Sequence, residues 1–178
     1  MIILLSLLCS AFFSGMEIAY VSSNRLNLEI EKKQKGLIPK ILSIITKDPS
    51  RFISTMLIGN SFALVIYGLF MGQFIIDYLS FLFSPSMNEL TVLLLQTIIS
   101  TLLILIAAEF IPKVLFQIYS NFSMKIFSIP AYIFYIILYP VTGLVIIISN
   151  FILKTFFKVN VDESEFSFSK VELENYIE

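Results

Sequence analysis

Charged residues desert two long stretches of this chain. Between Phe52 and Pro112 there are three, Asp77, Glu89 and Glu109, all acidic, and from Ile126 to Leu153 there is none. About 20 helical residues cross the hydrocarbon core of a bilayer, so continuous apolar runs of this length read as membrane segments. Barrel strands would alternate instead. The pattern predicts spanning helices at about 2–23, 52–76 and 90–111. Asp48-Pro49 gives the second an N-cap and a proline at its first position, Ser84-Pro85-Ser86 marks the following turn, and Pro112 stops the third. Met1 to Phe13 resembles a signal peptide only superficially. No Lys or Arg precedes it, Leu8 is too large for a cleavage site before Cys9, and the apolar pattern runs on through Val21. It reads as a retained helix.

Between the first two spans, Arg25 to Arg51 carries seven basic and three acidic residues. Leu26, Ile30, Leu37, Ile41, Ile44 and Ile45 recur there at helical spacing. They predict short amphipathic helices lying at the membrane surface, broken at Gly36. Basic residues stay on the cytoplasmic side. With seven here and none from Asp77 to Glu89, the N-terminus is expected outside and the C-terminus in the cytoplasm, as in a multi-pass protein of the cell inner membrane or plasma membrane. Residues 126–153 are long enough to cross, yet Lys113 and Lys125 precede them and Lys154 and Lys158 follow. Pro130, Pro140 and Gly143 interrupt the run, and Tyr132, Tyr135 and Tyr139 suit an interfacial depth. This segment is expected to be a bent inner-leaflet belt helix or re-entrant hairpin, with a fourth crossing as the alternative. The expected fold is thus an all-α integral membrane domain over 1–158. Residues 159–178 hold six acids and one Lys, with a capping box at Ser169–Glu172, and read as the start of a helix leading to a further cytoplasmic domain.

Composition supports this and removes other functions. The 178 residues are 57% apolar or aromatic and 14% charged, against about 25% charged in a soluble domain. There is no His and one Cys, Cys9, which excludes a zinc site, a Cys–His nucleophile and an intrachain disulfide. A net charge of −1, with no basic face studded with aromatics, argues against nucleic acid. No glycine-rich phosphate loop and no nucleophile–base pair is visible, so an enzyme is not expected.

Function is best sought among polar groups that the bilayer penalises. Ser10 and Ser14 lie one above the other on one helix face, followed by Gly15 and Glu17. Packing of small residues would also account for the serines, and water or Arg25 could satisfy Glu17. Gly59-Asn60-Ser61 sits within the second helix, where Asn60 can serve as interhelical glue or present a carbonyl oxygen. In Glu109-Phe110-Ile111-Pro112 the proline withholds an N–H from Ala108 O beside a carboxylate, although Glu109 could equally pair with a base at the helix end. Hydroxyls, an amide oxygen, backbone carbonyls and a carboxylate are hard donors suited to Mg²⁺ or Ca²⁺.

Ser10–Glu17 with Ala19 resembles the SAFFSGxEIA opening of the cyclin M/CorC family of magnesium transport proteins. Arg51–Asn60 resembles its second-helix signature, Ala108–Lys113 its GEIxPK motif with Ala for Gly, and Tyr139-Pro140 its later YP. Order and spacing agree over essentially all of the chain. The resemblance implies a homodimer in the lipid bilayer, three spanning helices per subunit with a juxtamembrane belt, and a following pair of cystathionine-β-synthase-type nucleotide-binding domains. It also implies Mg²⁺ held by Ser14, Asn60 and Glu109, with Ser10 beside them, and Mg²⁺ efflux with Na⁺ as a coupling ion. The competing expectation is a non-transporting membrane anchor or sensor that positions a cytoplasmic partner. Loss of two of Ser14, Asn60 and Glu109 would favour it; all are present.

Overall fold

The computed structural model describes residues 1–82 and 88–157. The Ser84-Pro85-Ser86 turn and the tail from 159 onwards lie outside them. Every regular element among the described residues is helical. α1 (Ile2–Ser22), α4 (Pro49–Leu82) and the continuous run through α5 (Glu89–Leu103), a π-helical turn (Ile104–Phe110) and α6 (Ile111–Ile118) form the long rods. Among the described residues, three helical segments are long and apolar enough to cross a membrane: Ile2–Ser22, Pro49–Tyr78 and Leu90–Ile118. The all-α membrane architecture expected from the pattern is present.

The third rod differs from expectation, because the helix does not end near Pro112 but continues to Ile118. In an α-helix the proline ring would strike the carbonyl four residues back. Here the preceding turn has widened, and the Ile111 N–H donates to Ile106 O, five residues back. The carbonyl that would meet the ring is swung aside, and the rod passes a residue that ordinarily stops it. α4 likewise runs past the expected end near residue 76 to Leu82. Its start is as expected: the Arg51 N–H donates to Asp48 Oδ1 at 3.0 Å.

α2 (Arg25–Lys32) and α3 (Leu37–Ile45) are separated at Gly36, whose φ of +148° suits glycine alone. The expected apolar stripe is divided between two surroundings. Ile45 is buried and Ile41 packs partly against the core, whereas Leu26, Ile30, Leu37 and Ile44 face outward. The residues that turn inward beside Ile45 are Leu28 and Leu42.

After α7 (Ser120–Ile126), α8 (Ser128–Ile137) and α9 (Tyr139–Ile152) meet at a bend of 68°. Pro140 begins α9 and has no N–H to return to Ile136 O. The bent pair is fixed to the base of α4. The Arg51 guanidinium lies 4.3 Å from the centre of the Tyr139 ring, and the Thr55 and Thr142 hydroxyls are 3.3 Å apart. By length and composition the pair is a broken fourth span or a re-entrant loop.

Small residues bring the rods together, as helix association in lipid requires. The Phe13 ring lies directly on Gly59, so close that a Cβ there would overlap it, and Phe116 lies on Gly15 in the same way. Two apolar clusters result. One joins Phe13, Met16, Phe52 and Met56 to α3, α7 and α8. The other joins Tyr67, Met71 and Ile75 to Ile3, Leu7 and Val92. Ser10 and Asn60 fall between them in sequence on α1 and α4.

Candidate ion site

The layer between the clusters is polar. Ser10 is fully buried on α1 and its hydroxyl donates to Asn60 Oδ1 on α4 at 2.6 Å. One turn along the same face, Ser14 is also fully buried, and its Oγ has no hydrogen-bond partner among the described residues. A serine in a helix commonly bonds the carbonyl four residues back, as Thr55 does to Arg51 O at 2.7 Å. Ser14 does not, and burying a hydroxyl unsatisfied costs about 1–3 kcal/mol. α1 packs along α4 and also against the π-helical turn and α6. Ala108, where the family pattern has Gly, is completely buried in that turn.

The four expected donors are thus only partly gathered. Ser10 and Asn60 touch, and Ser14 is one turn away. Glu109 forms no hydrogen bond to the other three among the described residues. It is 30% exposed and its carboxylate is 3.9 Å from Lys113 Nζ, an ion pair along its own helix. Glu17 lies within electrostatic reach of Lys113 and Glu109. No group of three or more His, Cys, Asp and Glu is assembled among the described residues. Any cation here would rely on neutral oxygens with one or two carboxylates, a hard donor set.

Sequence reasoning missed the π-helical turn. The signal was available: Val114, Leu115, Phe116 and Ile118 continue the apolar helical pattern past Pro112, so the proline lies inside a run. It also missed Gln96, whose amide nitrogen covers Gly72 on α4 and whose Oε1 is buried without a partner among the described residues.

The Ser10–Asn60 bond supports a direct test. Asn60→Ala removes the acceptor of a buried hydroxyl, and an unfolding curve in detergent is expected to show a loss of about 1–3 kcal/mol. Ser10→Ala in the same chain removes the stranded donor and should recover part of that loss. Additive costs would mean that the two residues do not interact.

Comparison with curated proteins gives no match. The family model described as the cyclin M transmembrane N-terminal domain matches residues 1–178, the whole chain. With three rods long enough to cross a membrane and the family's motifs facing one another on α1 and α4, this chain belongs to the cyclin M transmembrane domain family.

Proposed function

We propose that this domain carries Mg²⁺ across the membrane by alternating access, outward from the cytoplasm, with Na⁺ as the coupling ion. The observation that carries the reading is the Ser14 hydroxyl, buried and unpartnered one turn from the Ser10–Asn60 pair. Oxygen atoms held ready in a dry layer are what a cation leaving water needs. Ser10, Ser14 and Asn60 replace water around the ion, and Glu109 supplies the compensating charge. Mg²⁺ gives up its water reluctantly, so the cycle includes a state in which this layer is open and wet. The Tyr67 cluster on one side and the Phe13 cluster on the other are the apolar seals that would part in turn. Membership of the cyclin M family fits this reading.

The domain works as a homodimer in this account. The most apolar stretch of Leu90–Ile118 buries none of its residues within one chain, which leaves it to lipid and to a second copy. The bent α8–α9 pair, flanked by lysines, lies in the inner leaflet as a belt. A cystathionine-β-synthase-type nucleotide-binding pair follows on the cytoplasmic side. A second reading has one observation in its favour: Glu109 is already paired with Lys113. In it the domain is an anchor or sensor for a cytoplasmic partner.

Topology has its own test. In a Cys9→Ser background in cells, a cysteine at Ser86 is expected to react with an impermeant thiol reagent added outside, and one at Gln34 to stay unlabelled. The opposite pattern would invert the domain and the direction of transport with it. For transport itself the decisive experiment is Mg²⁺ flux in liposomes with and without Glu109→Gln.

A further inference from the structure

Lys113 is placed where a transported cation would have to compete with it. Its ammonium stands 3.9 Å from Glu109 Oε2, beyond the ~2.7–2.9 Å of a charge-assisted hydrogen bond. The pair attracts without being locked. The second carboxylate, Glu17, comes from α1 and lies within electrostatic reach of the same ammonium, without an ion pair to it among the described residues. What sets these residues at one level is packing. Phe116, one turn after Lys113, lies over Gly15, two residues before Glu17, and a Cβ at Gly15 would fall 2.7 Å from the ring. Only glycine lets α6 come this close to α1. Charge then limits what the trio can hold. Glu17, Glu109 and Lys113 sum to −1. A divalent ion added with the ammonium in place makes the group +1, and with the ammonium withdrawn it is neutral. Lys113 is 44% exposed, and a long lysine stem can carry its head group to water.

We propose that Lys113 is a tethered cation that holds the Glu109 carboxylate while the ion site is empty and yields it when a divalent cation arrives, with Glu17 drawing the ammonium aside. The inference rests on the reading of Glu109 as an ion ligand. Lys113 is in this sense a positioning residue, one that sets how much Mg²⁺ is needed to fill the site. It also keeps an intramembrane carboxylate neutralised while no ion is bound.

The test is a thermal-unfolding titration of the purified chain with MgCl₂ in detergent. Lys113→Met keeps the stem and removes the charge. It is expected to lower the Mg²⁺ concentration giving half of the stabilisation, on the order of five- to tenfold, while lowering the melting temperature without Mg²⁺. Lys113→Gln, a polar variant should the first not fold, is expected to do the same, and Lys113→Arg to stay near wild type. Glu17→Gln should raise the half-effect concentration in the wild-type background and leave it unchanged beside Lys113→Met, since Glu17 acts through the lysine. An unchanged half-effect concentration in both Lys113→Met and Lys113→Gln, with Glu109→Gln having lost the Mg²⁺ response, would overturn the tethered-cation role and leave the ion site standing. An equal effect of Glu17→Gln in both backgrounds would overturn it too, by making Glu17 a ligand. Full Mg²⁺ stabilisation of Glu109→Gln would instead remove the ion-ligand reading on which the inference rests.

Discussion

Glu109→Gln is expected to abolish the stabilisation that Mg²⁺ gives this domain. The substitution preserves size and hydrogen-bonding atoms and removes the charge. The other proposed ligands, Ser10, Ser14 and Asn60, are neutral, so nothing among them offsets a divalent ion. Stabilisation by a ligand grows with the logarithm of its concentration over its dissociation constant, reaching about 2.7 kcal/mol at a hundredfold excess. A melting curve with and without Mg²⁺ resolves an effect of that size. Without Mg²⁺ the variant should be close to wild type. It loses an attraction to Lys113 that is long and partly exposed, worth at most about 1 kcal/mol, and it loses the cost of a carboxylate at membrane depth. If Glu109 served only as the partner of Lys113, the variant would be destabilised equally in both conditions.

Gly59→Ala is expected to be the most damaging single-methyl change in the spanning helices. An added Cβ overlaps the Phe13 ring, and that ring is itself wedged against Phe12 and Phe134, with centroids 5.4 and 4.7 Å away. It has nowhere to turn, so α1 and α4 must separate, at a cost of about 1–3 kcal/mol. The movement also opens the Ser10–Asn60 bond, because Asn60 is the next residue, and the Mg²⁺ response should fall with it. Gly68 on the same helix has nothing within 4 Å of the equivalent position, and Gly68→Ala should be neutral or stabilising by up to about 1 kcal/mol. Combined with Phe13→Ala, Gly59→Ala should cost less than it does alone. Equal tolerance of alanine at both glycines would contradict the packing described here.

The extent to which this structure could be read beforehand follows from which forces each feature depends on. The membrane class, the Asp48-Pro49 start and the break at Gly36 depend on local chemistry and on long apolar runs, and all three were visible. The π-helical turn depends on a conflict. Pro112 forbids an α-helical carbonyl behind it, the apolar pattern beyond it demands that the helix continue, and a widened turn satisfies both. Read alone, the proline means a stop. The donors Ser10, Ser14 and Asn60 were legible as polar residues at membrane depth, and the fold sets Ser10 against Asn60. From the sequence, either water or Arg25, two turns on, could satisfy Glu17. Its neighbour Lys113 comes from a helix 96 residues away, brought near by the contact of Phe116 with Gly15. Sequence distance gives no hint of such a pairing. Similarly, Leu37 and Ile45 share the short helix that follows Gly36, yet Leu37 faces outward and Ile45 is buried in the core.

Flux of Mg²⁺ in liposomes containing the protein, followed with an internal Mg²⁺ indicator, tests the transport reading most directly. The account predicts Mg²⁺ movement down an imposed gradient with wild-type protein, accelerated by an opposing Na⁺ gradient, and none above empty liposomes with Glu109→Gln inserted in equal amount. Wild-type protein that binds Mg²⁺ but moves none, or Glu109→Gln that moves it as fast as wild type, would contradict it.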